Sequence, residues 1–160
     1  MNKFLIIKSK KAQLPELNYY YDVLKKHFKD LDVDIKHLTE YKLIKNYKYL
    51  LTTLNFEVIL NLVHLFKSKR DDTKLIIDIR SSSLGPLRTI KDFIKIISLL
   101  IINPNYIIFL NKSVEKRFYL TKRFLKCETF LIDMPIFNNL EENNSNKKIF
   151  RLFAVIKTKT

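Results

Sequence analysis

Short apolar runs recur along this chain, separated by polar turns and by longer stretches with helical spacing. Residues 4–7, 75–79, 106–110 and 130–132 form such runs, and each has the length of a buried strand. Between residues 31 and 36 apolar and charged residues alternate. That alternation is the period of a strand exposed on one face, so it predicts a further strand near a sheet edge.

Helical spacing connects these predicted strands. Pro15 is expected to open a helix that carries Lys25 and Lys26 on its polar face. Residues 43–66 favour one long helix. A strand at residues 56–60 remains the alternative, because apolar residues there occupy every side and periodicity does not separate the two.

A further helix is predicted to run through Ile102, with Thr89 and Asp92 as a capping pair at its start. Its apolar residues recur at helical spacing, so we expect them to form a stripe buried against the sheet. The residues of this predicted buried stripe are Ile90, Phe93, Ile94, Ile97 and Ile101.

The next helix is expected to begin after residues 106–110, capped by Asn111 or Ser113, and to run to about residue 126. Strands that alternate with helices predict an α/β fold. The expected architecture is a Rossmann-like three-layer domain, in which a parallel sheet is covered by helices on both faces.

Polar residues directly follow several predicted strands. Ligands of open α/β sheets bind beyond the carboxyl ends of the strands, so these residues are binding candidates. Arg80 can hold a phosphate through two N–H groups at once. Asp78 either accepts hydrogen bonds from sugar hydroxyls or acts as a base, or it orients Arg80 and loop amides. The candidate residues are Asp78, Arg80, Ser81, Ser82, Ser83, Asn111, Ser113, Ser9 and Lys10.

The chain carries a formal net charge of +14, which indicates an anionic partner such as nucleic acid, a phospholipid surface or a phosphorylated substrate. A competing explanation is A+T-rich codon usage, since Lys, Ile and Asn are all common. Residues 62–70 and 116–126 place apolar or aromatic residues beside basic ones. Such segments suit a membrane interface or nucleic acid, and they also suit an ordinary solvated face.

Several chemistries are not supported by the residues present. Cys127 is the single cysteine, so no disulfide or thiolate cluster forms within the chain. His27, His37 and His64 lie at no metal-ligand spacing. No glycine follows the first strand, where dinucleotide-binding domains place one. We therefore expect no metal and no cofactor. Met1 is not followed by a signal-peptide hydrophobic region, which favours the cytoplasm.

Two segments carry a family resemblance. KLIIDIRSSS at residues 74–83 and NYIIFLNKSVEKRF at residues 105–118, followed by a strand and Pro135, resemble the amino-terminal half of GT-B glycosyltransferases. The nearest likeness is to family 4 enzymes that synthesise bacterial surface polysaccharides. In layout the resemblance covers residues 3–137.

In that family the amino-terminal domain binds the acceptor and the carboxyl-terminal domain binds the nucleotide sugar. The resemblance implies that residues 1–137 are the acceptor-binding domain and residues 138–148 a polar linker. KKIFRLFAVI at residues 147–156 then looks like the opening strand of a donor domain, whose start is expected at residues 149–160. Arg80 and the serines after it would line the acceptor side. The donor-side carboxylate motif of the family is absent from the sequence.

The resulting hypothesis is the acceptor-binding half of a glycosyltransferase. It would contribute to sugar transfer from a nucleotide sugar to a surface-polysaccharide or lipid-linked acceptor, and it would be inactive without a donor-domain chain. We expect a cytoplasmic protein that sits peripherally on the inner face of the cell membrane. The alternatives are a basic nucleic-acid-binding protein and a noncatalytic interaction remnant.

Overall fold

The computed structural model describes residues 2–8, 22, 25–26, 31–37, 46–55, 58–59, 61, 72–80, 87–125, 127–132, 151 and 154–155. Within these ranges the strands are β1 Asn2–Lys8, β2 Leu31–His37, β3 Tyr49–Thr53, β4 Lys74–Ile79, β5 Tyr106–Phe109 and β6 Glu128–Leu131. The helices are α1 Arg88–Ile102, α2 Lys112–Arg117 and α3 Tyr119–Phe124.

The strands form one six-stranded sheet in the order β2-β1-β3-β4-β5-β6, and every neighbouring pair is parallel. The chain adds β2 on one side of β1 and then crosses to add β3 and the later strands on the other side. The order therefore reverses between β1 and β3, which is the topological switch point of this sheet. The predicted α/β, Rossmann-like fold is confirmed.

Strand β3 contradicts the helix predicted over residues 43–66. Tyr49–Thr53 is a strand, and all five of its residues are buried. Leu51 is aligned with Ile6 of β1 on one side and with Ile76 of β4 on the other. A central parallel strand is apolar on both faces, so it lacks the period of two that marks a strand in the sequence. Val58 and Ile59 are helical, so the alternative strand at residues 56–60 is also wrong at these positions.

The sheet has two apolar faces, named here by consecutive residues of β1. The Phe4 face includes Ile6, Leu51, Ile76 and Ile108 in one core cluster. The Leu5 face belongs to a second cluster, to which the helices contribute their buried side chains. Those helical residues are Ile96, Leu99 and Ile102 of α1 and Val114 of α2, with Phe118 just after α2.

Ala154 places helical structure on the Phe4 face as well. Arg151, Ala154 and Val155 are helical, and Ala154 packs against the cluster of the Phe4 face. Helical residues therefore cover both faces of the sheet, as predicted. The opening strand expected from KKIFRLFAVI is wrong at these three helical residues, of which Ala154 packs against the core of the sheet.

The edge position predicted for residues 31–36 is confirmed by β2, which pairs only with β1 among the described strands. Leu31 and Val33 are buried on the Phe4 face. On the other face, Asp34 accepts a 2.5 Å hydrogen bond from the Tyr47 hydroxyl. The Tyr47 ring also lies 5.7 Å from Lys36 Nζ, so this side chain covers the charged face of the edge strand.

Helix α1 ends as predicted but begins differently. It ends at Ile102, and Asn103 adopts a left-handed conformation with φ 46° while its N–H bonds to the Leu99 carbonyl. At its start Leu87 is the N-cap residue and makes no side-chain capping hydrogen bond. Thr89 already lies inside the helix, so the predicted Thr89–Asp92 capping pair is wrong.

The predicted buried stripe of α1 is also wrong. Ile90, Phe93, Ile97 and Ile101 are exposed, and Ile94 is half-buried. The side chains that face the sheet come from the opposite side of the helix and include Ile96, Leu99 and Ile102. Because α1 has apolar residues on both sides, its periodicity allowed either side to face the sheet. Packing against the Leu5 face selected the other one.

The helices that follow β5 match the prediction in part. Asn111 caps α2, as one of the two alternatives expected. The predicted single helix to about residue 126 is divided at Phe118, and α3 ends at Phe124. Earlier in the chain, Lys25 and Lys26 are helical and exposed, as expected for a polar face. None of the helices in the described ranges combines the length and apolar character needed to cross a bilayer.

Candidate ligand-binding site at the carboxyl end of the sheet

An ion pair lies at the carboxyl end of β4. Arg80 Nε donates a hydrogen bond to Asp78 Oδ2 over 2.8 Å. Side chains two residues apart in an extended segment point to the same side, which brings the two groups together. Asp78 is fully buried and the Arg80 side chain is 12% exposed. This contact is the one expected if Asp78 orients Arg80; a role for Asp78 toward a sugar stays a prediction.

Thr53 lies beside this ion pair. It is aligned with Asp78 across β3 and β4, and it follows Leu51 by two residues, so both side chains belong to the Phe4 face. Its hydroxyl is buried and has no hydrogen-bond partner among the described residues. A buried hydroxyl without a partner costs about 1–3 kcal/mol, so such groups are uncommon and ask for an explanation.

Thr52 carries a second buried hydroxyl without a partner among the described residues, on the opposite face of β3. It is aligned with Ile7 near the end of β1. The two threonines therefore end β3 beside β1, where the strand order reverses. Ligands of doubly wound sheets bind in the crevice at this point, so β3 contributes hydroxyls to the expected binding position.

Asn111 begins the turn after β5, the strand next to β4. Its Oδ1 accepts a 2.8 Å hydrogen bond from the Val114 N–H, so the side chain caps α2. Ser113 lies in the first turn of α2 and is exposed. The structure therefore places Arg80, after β4, and Asn111, after β5, at one edge of the sheet. The Asn111 side chain has a structural role there, because its hydrogen bond caps α2.

Five of the candidate residues lie outside the described ranges. Ser9 and Lys10 directly follow β1, and Ser81, Ser82 and Ser83 directly follow Arg80. Their assignment to the site stays a prediction from the sequence. The basic segment at residues 62–70 and the polar linker at residues 138–148 lie outside the described residues too.

His37 reaches the same edge of the sheet, as the exposed last residue of β2. It is aligned with Lys8 of β1. His37 and the two threonines are not among the residues that the sequence predicts for the site. The segment YLLTT, an apolar run that ends in two hydroxyls, carries the signal for the threonines, but it falls within the helix predicted over residues 43–66. Nothing in the sequence around His37 distinguishes it from an ordinary surface histidine.

A groove of about 460 Å³ lies between α1 and α2. Its walls include Thr89 and Phe93 of α1 and Arg117 of α2. Arg117 Nη1 lies 3.8 Å from Asp92 Oδ2, so an ion pair joins α1 to α2 here. The sequence did not predict the groove, because it depends on how Arg117 of α2 packs against the first half of α1.

The described residues hold no group of three metal-ligating side chains. Cys127 is half-buried, and burial raises the pKa of its thiol, which lowers its reactivity as a nucleophile. The groups at the carboxyl end of the sheet are suited to binding through hydrogen bonds and charge. Comparisons with protein-family models, with curated proteins and with solved structures found no match to this chain.

Proposed function

We propose that this chain is the acceptor-binding half of a glycosyltransferase and that it binds a phosphorylated or lipid-linked saccharide at the carboxyl end of its sheet. The observation that carries the proposal is the Asp78–Arg80 ion pair beside Thr53, one strand from the switch point. A guanidinium suits phosphate and a threonine hydroxyl suits a sugar hydroxyl or a phosphate oxygen.

The ion pair supports binding through preorganisation. Arg80 is held by Asp78, so less side-chain freedom is lost when a ligand arrives. The guanidinium has five N–H donors, and its Nε donates the 2.8 Å hydrogen bond to Asp78. A phosphate of the acceptor would be the charged group that this arginine recognises, and Asp78 acts as a positioning residue.

The resemblance to GT-B enzymes supports the sugar-transfer assignment. On that basis the nucleotide sugar binds to a separate donor-domain chain, and transfer needs both chains. A lipid-linked acceptor would place the protein in the cytoplasm, on the inner face of the cell membrane.

The test is a titration of the purified chain with a short polyprenyl diphosphate-linked sugar. Arg80→Lys keeps the positive charge but loses the planar fork, so we expect affinity to fall by about tenfold or more. Lys26→Ala removes an exposed charge from another segment and should leave affinity unchanged. Circular dichroism confirms that each variant is folded.

Two results would contradict the proposal. Equal binding by Arg80→Lys and the wild-type chain would limit Arg80 to a structural role. Turnover of a nucleotide sugar by the chain alone would show that it is not a half-enzyme. Titration with inorganic pyrophosphate and with the unphosphorylated sugar identifies which part of the acceptor is recognised.

A further inference from the structure

The outer face of α1 is almost entirely apolar. Its most exposed large side chains are Ile101 at 67%, Phe93 at 61% and Ile90 at 57% of their surface. Ile97 and Leu100 are each 40% exposed on the same side. Contiguous apolar surface of this kind is uncommon on a protein that works alone in water, and it marks an interaction site.

Three polar residues of α1, Ser98, Asp92 and Lys95, lie away from this outer face, whereas Thr89 and Lys91 are exposed. Ser98 is buried and donates a 2.7 Å hydrogen bond to the Ile94 carbonyl. Asp92 and Lys95 are half-buried on the side that also carries Leu99. Partial burial lowers the pKa of Lys95. A surface helix normally turns a polar side to water. Helix α1 is apolar both on the side that packs on the sheet and on its outer face, as expected for a helix that is covered on both sides.

Helices α2 and α3 add aromatic and basic residues beside this face. Helix α3 contacts α1, and its Tyr119 and Phe124 are exposed. The same three helices carry exposed cations, which we call the cationic rim; Arg117 among them is paired with Asp92. These cations are Lys91, Lys112, Lys116, Arg117 and Arg123. We call the outer face of α1 together with the exposed residues of α2 and α3 the α1–α3 surface.

We infer that the α1–α3 surface docks in the interface of an anionic phospholipid membrane, with the isoleucines and Phe93 of α1 among the acyl chains. An apolar centre with aromatic residues and a cationic rim is the pattern of helices that lie in this interface. Each Lys or Arg near an anionic bilayer contributes about 1 kcal/mol. This docking does not depend on the saccharide site, since it uses other residues.

Charge selects the membrane over the other occupants. A second copy of the chain would bring two cationic rims together, which charge repulsion opposes. Nucleic acid would pair with the cations and stack on Tyr119 or Phe124, but it offers no apolar partner for the isoleucines of α1. Anionic lipid satisfies both the apolar centre and the cationic rim.

The test is cosedimentation of the full chain with vesicles of phosphatidylcholine, alone or mixed with phosphatidylglycerol. We expect clear binding to the mixed vesicles and weak binding to neutral ones. Phe93→Ser with Ile97→Ser should weaken binding to the mixed vesicles by about tenfold or more. Phe93→Leu with Ile97→Val keeps the apolar surface and should retain binding. All four substitutions change exposed side chains, and circular dichroism checks the fold.

The cationic rim is tested separately. Lys116→Glu with Arg123→Glu should abolish the preference for anionic vesicles, whereas Lys25→Glu with Lys26→Glu changes net charge equally in another segment and should preserve it. Equal binding to the mixed vesicles by the wild-type chain and by the variant with Phe93→Ser and Ile97→Ser would overturn the inference. A stable dimer that forms without lipid and is lost when Phe93 and Ile97 are replaced by serine would also overturn it. Tighter binding to an oligonucleotide than to the mixed vesicles at physiological salt would do the same. The result of the vesicle experiments does not depend on whether Arg80→Lys loses saccharide binding, because the two tests change different residues.

Discussion

Asp78 and Arg80 form an ion pair in which the carboxylate is completely buried and the guanidinium nearly so, with Nε 2.8 Å from Oδ2. The pair lies where β4 ends and its chain leaves the sheet. An unpaired carboxylate at this position would be costly, because burial removes its hydration and Arg80 supplies a compensating charge.

Arg80→Met should therefore destabilise the protein by about 3–5 kcal/mol, because it leaves the Asp78 carboxylate buried without the guanidinium. The double variant Asp78→Leu with Arg80→Met removes both charges and should recover much of this loss. Urea unfolding monitored by circular dichroism measures both. A double variant no more stable than Arg80→Met would show that the two side chains do not act as a pair.

Thr53→Val and Thr52→Val should each stabilise the protein by about 1 kcal/mol, because each removes a buried hydroxyl that has no partner among the described residues. Their effects on binding should differ. Thr53 lies beside Asp78 and should contribute to saccharide binding, whereas Thr52 faces the opposite side of the sheet. Urea unfolding and titration with the diphosphate-linked sugar test both expectations. A loss of stability in either variant would reveal a hydrogen bond to that hydroxyl.

Asn111→Ala should cost about 1 kcal/mol of stability, because the Asn111 side chain accepts a hydrogen bond from the Val114 N–H at the start of α2. Ser113→Ala is the matched control, since Ser113 is exposed two residues later in the same turn. Thermal unfolding of both variants provides the comparison. Similar losses in the two would argue against a specific capping role for Asn111.

Lys95 predicts a dependence of stability on pH. Desolvation lowers its pKa below the ordinary value of 10.5, and nearby Lys91 lowers it further while Asp92 opposes the shift. Between the folded pKa and 10.5 the unfolded chain binds more protons, so the contribution of Lys95 to stability rises with pH in that window. At neutral pH its charged form opposes folding.

Lys95→Met should consequently be more stable than the wild-type chain at pH 7, and the difference should narrow as the pH approaches 10.5. Urea unfolding of the two proteins across this range measures it. Lys26→Met, at an exposed helical position in another segment, serves as the control. A difference that stays constant with pH would mean that the packing of the methionine, and not the charge of Lys95, is responsible.

The amino-acid sequence by itself determined where β4, β5 and β6 lie, because each is a short apolar run between polar turns. It also placed β2 at an edge, since the alternation of residues 31–36 reports one exposed face. The order of these strands and helices was enough to predict the α/β fold. Arg80 after β4 and Asn111 after β5 lie at one edge of the sheet, because the carboxyl ends of parallel strands share that edge.

Only the tertiary structure decided what β3 is and which side of α1 faces the sheet. Tyr49–Thr53 has apolar residues on both faces, so its strand conformation depends on hydrogen bonds to β1 and β4 that no local pattern reports. Helix α1 has two apolar sides, and contact with the Leu5 face chose between them. The same contact leaves Ile90, Phe93, Ile97 and Ile101 exposed. The pairing of β3 with β4 brings Thr53 beside Asp78. Periodicity records how apolar a side is, while burial depends on the partner that the rest of the chain brings to it.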